Sequence, residues 1–460
     1  GSEMCIRDSQ RAVVPLGDGS CRSTAAPGAG AESLNARGHD AGAPVYDLLI
    51  IGGGMVGSVL ACALGDGPLS VAVVERGTLD GCRPGPEPDP RVSAITPASR
   101  NVFAAVGAWE AMTGWRVGPY TDMHVWDAAG GASIHFDCTE LDAPELGWII
   151  ENRIVQHGLL GRAGEFDNVT VLESAELARA EINDHGVSVA LEDGRLLQAR
   201  LLVGADGARS RVRRLAGIET VGWDYDQHGL VCSVETEHSH AGTAWQRFLS
   251  TGPLAFLPLS DGRCSIVWST TPEAAARLQA LDAGAFEDEL TDAFEAQLGR
   301  VRLISPRVVF PLRLQHARRY IGPRVVLLGD AAHTIHPLAG QGVNLGVMDA
   351  ACLAECLLAG AAQGRVPDSI VTLRRYERWR KGQNVLMQGT MDAFKRLFGS
   401  ELMPLRLARN LGLRLADGAV PVKIALARRA MGLSGDLPAL ARDPAAGIRS
   451  VRSDRRMGGG

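Results

Sequence analysis

The sequence predicts an α/β fold in which a nucleotide-binding domain is split by a β-rich insert and followed by a helical C-terminal region. Three observations carry this. The segment "VYDLLIIGGGMVGSVLACALG" from Val45 reads as an apolar strand, a glycine turn and a helix rich in Ala, Val and Leu, and "LSVAVVERG" (69–77) supplies a second strand. Alternating, strand-like segments recur at 122–137, 169–203, 229–236 and 243–270. From about residue 340 onward the pattern is helical, with breaks near Gly360 and Pro404. A strand–helix–strand start with later β-rich and α-rich parts fits a nucleotide-binding sheet carrying an inserted sheet domain.

The remaining elements follow in order. A loop full of Pro and Gly spans 81–90, and a helical pattern runs from Pro97 to Met112. Helical patterns return at 271–298, and a strand lies near 307–312. Next comes "VVLLGDAAHTIHPLAGQGVNLG" (325–346), a buried strand that breaks into small residues. No repeat of fixed period is present. Residues 1–44 begin Gly-Ser, lack periodicity and lack the apolar stretch of a secretion signal, and their five acidic residues disfavour a transit peptide. They are expected to be a disordered leader or a non-native segment, and 441–460 a disordered tail.

With 460 residues, 55 glycines and a formal charge of −5, the chain has core for two or three domains and is neither fibrous nor wholly disordered. No run of about 18 or more apolar residues occurs, so no membrane-spanning helix is expected. The nine cysteines, odd in number and without CxxC spacing, read as reduced, buried thiols of a cytosol-like compartment. Residues 370–460 hold 18 Lys and Arg against 7 Asp and Glu, so they carry +11 and leave −16 on residues 1–369. A basic C-terminal part points to an anionic membrane surface or an acidic partner; a solvated helical face accounts for the same charge. No nucleic-acid partner is expected.

Three motifs carry chemistry. Gly52-Gly53-Gly54-Met55-Val56-Gly57 fits G-x-G-x-x-G with its full context: a strand before, a helix after, and Glu75, with Arg76 beside it, ending the next strand. Gly52 permits the tight turn, Gly54 lets backbone approach a pyrophosphate, and Gly57 lets helix and strand pack closely. The phosphates of a dinucleotide sit at the helix N-terminus, and Glu75 is placed to accept from a ribose diol. The second motif, "LLVGADGARSRVRRLAG" (201–217), runs a strand into Gly204-Ala205-Asp206-Gly207. In the third, Gly329-Asp330 puts a carboxylate at the C-terminal edge of a strand, where ligands of open α/β sheets bind. A helix N-cap is an alternative role for Asp330, and both can hold. Gly340-Gln341-Gly342-Val343-Asn344 then opens a helix. Its small residues let N–H groups reach a flat ring, and its positive N-terminus suits growing negative charge. Pro337 fixes the backbone without an N–H. His333 and His336 are spaced i,i+3, but no Cys, Asp or Glu cluster completes a metal site, so no metal is expected and His333 reads as bonding loop backbone. Arg91, in "DPR", serves either the cofactor or a surface ion pair.

The ordered trio at 52–57, 204–213 and 329–344 resembles the single-component FAD monooxygenases related to p-hydroxybenzoate hydroxylase. The segments "DPRVSAITPASRNVFAAVGAW" (89–109), "LGWIIENRIVQHGLL" (146–160), 308–357 and "YERWRKGQNVLMQGTMDAFKRLF" look like the ubiquinone-biosynthesis hydroxylases of the UbiH/UbiF type, over essentially residues 45–440. The resemblance implies FAD as cofactor and NADPH or NADH as co-substrate. It implies Asp330 on the ribityl hydroxyls, Gly342, Val343 and Asn344 against the flavin ring, and Asp206 and Arg91 near FAD or the pyridine nucleotide. Pro337, Gly340, Gln341 and Gly342 would line the place where O2 reacts. By resemblance, a flavin C4a-hydroperoxide transfers one oxygen to a polyprenyl-phenol ring and the other leaves as water.

The implied domains are an FAD-binding domain (45–115, 146–218 and 318–369), a substrate domain (116–145 and 219–317) and C-terminal helices (370–440). Phe256, Leu257 and Trp268 are candidates for the substrate wall, or simply sheet core. "LMPLRLARNLGLRLA" (402–416) lies on an anionic membrane or accessory protein, or packs on the FAD domain. The expected location is cytoplasmic, with peripheral contact at the inner face of the membrane. A hydroxylase of soluble aromatics, a flavin-dependent reductase and an FAD-stabilised scaffold of a biosynthetic complex remain the alternatives.

Overall fold

The computed structural model describes residues 45–128, 133–334, 342–398 and 420–442. Its first sheet has the strand order Ile321–Gly322, Val325–Leu327, Leu196–Gly204, Val45–Ile51, Val71–Val74, Val169–Leu172, and all but the first of these run parallel. The central strands are apolar along their length because both faces are covered; Val71–Val74 is buried throughout. Ile51 pairs with both Gly204 and Val74, and Gly204 pairs with Leu327. These strands therefore stop level, and the loops beginning at Gly52, Glu75, Ala205 and Leu328 leave from one edge.

Among the described residues the α-helices are α1 (Met55–Ala63), α2 (Pro97–Ala105), α3 (Trp109–Thr113), α4 (Asn152–Ala163) and α5 (Arg211–Leu215). They continue with α6 (Pro272–Ala280), α7 (Ala283–Ala293), α8 (Gly342–Ala361), α9 (Ile370–Phe398) and α10 (Val420–Ala430). The helical pattern at 97–112 is divided into α2 and α3 at Gly107, whose φ of 78° no helix accommodates. The pattern at 271–298 is likewise two helices, each with its own cap: Thr271 accepts from Ala274 N, and Asp282 from Ala285 N. Helix α8 is long and apolar enough to span a membrane by length and composition alone, although Asn344, Asp349 and Glu355 interrupt its apolar run. Most of it is buried, from Asn344 through Leu357 with one break, as befits a core helix.

A second sheet of nine strands takes its members from 122–137, 220–317 and His333–Thr334. One face buries Leu230, Cys232, Leu254, Phe256, Ile266 and Trp268 against α6 and α7. Leu177–Asn183 and Gly186–Leu191 extend the first sheet as an antiparallel hairpin on Leu196–Gly204, and a third sheet is antiparallel and three-stranded (Val92–Ile95, Gly147–Glu151, Val117–Tyr120). The late segment joins the two large sheets: Val325–Leu327 belongs to the first, while His333–Thr334 pairs with Gln315 and His316 of the second. The seven described cysteines are free and buried.

Candidate cofactor site

The glycine loop is held in place by its neighbours. Gly52 has φ 105°, and a Cβ there would lie 2.4 Å from Ala205 O. On Gly57 it would lie 2.0 Å from Gly52 O, so both positions exclude side chains for packing reasons. Gly53 N donates to Glu75 Oε2 (2.7 Å), and Gly53 O accepts from Ser58 Oγ (2.9 Å) and Gln156 Nε2 (3.3 Å). Gly54 differs. Its backbone suits any residue, and nothing lies within 4 Å of an added Cβ. Packing leaves that space free beside the N-terminus of α1.

Asp330 completes the edge. It is exposed, and no described residue donates a hydrogen bond to its carboxylate. Protein nevertheless surrounds it closely enough that desolvation raises its carboxyl above the usual range, opposed by the charges of His333 and Arg91. An accessible yet hemmed-in carboxylate is one that lines a concavity. Arg91, 239 residues earlier in the chain, is exposed and lies near enough for its charge to act on that carboxylate. Its loop is anchored by Glu151, which is 3 % exposed, accepts from Asp89 N (2.8 Å) and pairs with Arg116 Nε (2.7 Å). Asn152 N donates to Arg91 O (2.9 Å).

Val56 joins the early and late loops. A Cβ on Gly329, where φ is 52°, would come 3.1 Å from Val56 Cγ2, and one on Gly346 would come within 2.5 Å of the same atom. Helix α8 therefore starts beside α1 because Gly329 and Gly346 leave room for one valine. The first turns of both helices carry N–H groups beyond the reach of intrahelical acceptors.

Two expected ligands have their side chains committed elsewhere. Asp206 Oδ1 accepts from Ser210 Oγ (2.5 Å), and its Oδ2 accepts from Arg211 N (2.6 Å) and Val212 N (3.1 Å), so it caps α5. Asn344 accepts from Thr96 N (3.0 Å) and donates to Ala94 O (2.8 Å), fastening α8 to Val92–Ile95. Arg76 is exposed, and Gly342 and Val343 are half-buried at the start of α8. Pro337, Gly340, Gln341 and His336 lie outside the described residues, as does 402–416. Among the described residues no group of three or more His, Cys, Asp and Glu could hold a metal.

Behind the late loop lies a buried polar cluster that sequence reasoning did not find. Asp349, 0 % exposed, accepts from Gly329 N (3.1 Å), His333 Nε2 (2.5 Å), Arg380 Nε (2.7 Å) and Asn384 Nδ2 (3.0 Å). Burial alone would raise its carboxyl, but His333 and Arg380 reverse this and hold it far below the usual range. His333 is thus structural as expected, but its partner is a carboxylate, not loop backbone.

The family model of the FAD binding domain matches residues 45–388. The chain belongs to this FAD-binding family. The FAD-binding chain is 39% identical over 396 residues to the ubiquinone hydroxylase UbiL of Rhodospirillum rubrum, covering 84% of this chain and 90% of that one. It is 37% identical over 392 residues to the 3-demethoxyubiquinol 3-hydroxylase of Escherichia coli, covering 84% and 98%. Among solved structures, PqsL of Pseudomonas aeruginosa in complex with 2-aminobenzoylacetate superposes with a TM-score of 0.66 at 26% identity, over 80% of this chain and 100% of that one. The residues present fit FAD. Space opens at Gly54 for a pyrophosphate, Glu75 stands at the neighbouring strand end, and no described residue donates to the Asp330 carboxylate, which suits hydroxyl donors.

The second sheet decides between the two readings of its aromatic residues. Phe256 and Trp268 pack with Phe286 and Phe294 behind the sheet, Phe256 stacking on Phe294 at 3.8 Å. Alternation puts Leu257 on the opposite face. That face also carries a cross-strand row of Val231, Val267, Ala255, Gln246 and Val125.

Proposed function

We propose that this protein is an FAD-dependent monooxygenase that hydroxylates the aromatic ring of a polyprenyl-phenol in ubiquinone biosynthesis, with NADPH or NADH and O2 as co-substrates. The observation that carries the reading is the meeting, at one sheet edge, of the Gly52–Gly57 turn, the Asp330 carboxylate and the start of α8. Its likeness to two ubiquinone-pathway hydroxylases over most of each chain supports the substrate class.

When bound, FAD supplies the two-electron chemistry with the nicotinamide and the activation of O2 that no side chain provides. The protein's part is binding and exclusion. The first turn of α1 and the space at Gly54 hold the pyrophosphate, and Glu75 and Asp330 accept from the two hydroxyl-bearing segments. The first turn of α8, with Gly342 and Val343, offers N–H donors to the pyrimidine end of the ring, and Arg91 adds positive charge. Pro337, Gly340 and Gln341 complete the oxygen-reacting face in this reading. We assign the first sheet and its helices to FAD and the second to substrate. The Val231–Val267–Ala255–Val125 row, with Gln246 as its polar member, forms the wall that keeps water from an apolar phenol. The basic C-terminal region brings the protein to an anionic membrane face where such a substrate resides.

The test is oxygen uptake and NAD(P)H oxidation by the purified yellow protein across a series of polyprenyl-phenols, with the hydroxylated product identified by mass spectrometry. Substrate-dependent turnover with product is expected. A flavin-loaded protein that consumes neither, or that turns over only soluble aromatics, overturns the reading.

A further inference from the structure

The geometry points to Asp349 as a positioning residue for the late half of the cofactor site, acting through Gly329 and His333 without touching the cofactor; this rests on the FAD reading above. Asp349 sits on α8, in the helix interior, and 0 % of it is exposed. A buried carboxylate persists only where its oxygens are satisfied, and here four donors converge on two atoms. Oδ2 accepts from Gly329 N at 3.1 Å and from His333 Nε2 at 2.5 Å. Those two residues bracket Asp330. One oxygen therefore spans the turn that presents the Asp330 carboxylate, and it fixes a glycine held at φ 52°.

Oδ1 faces the other way, to Arg380 Nε (2.7 Å) and Asn384 Nδ2 (3.0 Å) of α9. Arg380 reaches on to Leu345 O (3.4 Å) in the first turn of α8, and Tyr376 of α9 donates to Leu327 O (2.9 Å) at the end of the strand. Helix α9 thus holds both elements that face the flavin, the Asp330 turn and the start of α8, by way of one carboxylate. An asparagine at 349 has a single acceptor oxygen and an NH2 that meets donors, so it cannot serve both sides at once.

The experiment is a double-variant cycle read by FAD titration of the apoprotein, using quenching of flavin fluorescence. Asp330→Asn and Asp349→Asn are each expected to weaken FAD binding about tenfold or more, and the double variant to be no weaker than about the worse of the two. A residue acting only on overall stability gives additive losses instead, about a hundredfold in the double variant, and that result overturns the inference. So does unchanged affinity in Asp349→Asn.

A second measurement needs no variant. Amide exchange of the wild-type peptide around Gly329 is expected to be slow in the apoprotein as well as with FAD, because Asp349 holds that N–H. Protection that appears only with FAD overturns the inference. If the wild-type apoprotein takes up no FAD at all, the cofactor reading fails instead.

Discussion

Gly54→Ala separates a glycine kept for a ligand from one kept for the fold. Its φ of −67° and ψ of −177° suit any L-residue, and no heavy atom lies within 4 Å of the new methyl. Replacing glycine at such a backbone stabilises by about 0.4–1 kcal/mol through the unfolded state. Alanine is the poorer N-cap, which costs a similar amount, so the apoprotein should stay within about 1 kcal/mol of wild type. With FAD the balance changes. The methyl then occupies the space a phosphate oxygen needs, and overpacking of roughly 1–3 kcal/mol weakens binding by roughly 5- to 150-fold. Gly57→Ala is the control: its Cβ would lie 2.0 Å from Gly52 O, a backbone atom that cannot step aside, so the apoprotein itself loses stability. Urea unfolding of the apoproteins and fluorescence titration with FAD measure the two quantities separately. Unchanged FAD affinity in Gly54→Ala would refute the placement of the pyrophosphate.

Gly346→Ala should destabilise despite alanine's better helix propensity, because its Cβ would sit 2.5 Å from Val56 Cγ2; Val56→Ala in the same chain should restore the melting temperature. Phe256→Ala should cost about 3–5 kcal/mol in denaturant unfolding by opening a cavity against Phe294, with FAD affinity of the folded fraction unchanged. His316 offers a pH test. Burial, then the charges of His333 and Lys381, lower its pKa from an ordinary 6.5 to about 4. Below about pH 6.5 the unfolded chain takes a proton that folded His316 refuses, so stability should fall as pH drops from about 6.5 to about 4. His316→Gln should flatten that part of the profile in thermal melts; an unchanged slope rules His316 out as its source.

What could be read from the sequence was local. The glycine spacing, the strand before it and Glu75 after it are a pattern within about 30 residues, and each reflects a backbone requirement that few other residues meet. The side-chain roles of Asp206 and Asn344 were not legible in the same way. Each stands where a ligand would be expected, yet Asp206 caps α5 and Asn344 ties α8 to residues about 250 positions away. Sequence position does not distinguish a side chain aimed at a ligand from one holding the loop that surrounds it. Phe256 and Trp268 show a different limit. Strand alternation says that two faces exist, and only the packing of α6 and α7 decides which is dry core. Asp349 and Arg380 were invisible because an acid inside an apolar helix and an arginine in a basic one form no pattern until the helices meet.

The placement of charge around the site follows from the chemistry of the ligand it fits. FAD is anionic at its pyrophosphate and gains negative charge on its ring when reduced, while its ribose and ribityl parts carry hydroxyl donors. Carboxylates would repel the first two and suit the others. Of the carboxylates at this edge, Asp206 caps α5, while Glu75 and Asp330 follow separate strands and the N-termini of α1 and α8 supply N–H groups. Positive charge is thus supplied largely by backbone N–H groups and by Arg91, on the acidic part of the chain. Backbone donors are fixed by the helices they start, so they need no reorganisation as charge develops. This explains why the late glycine-rich turn must sit so far down the sequence. It opens the second helix, which follows in the chain only after the nine-stranded sheet and the return through Val325–Leu327 to the strand edge beside Gly204.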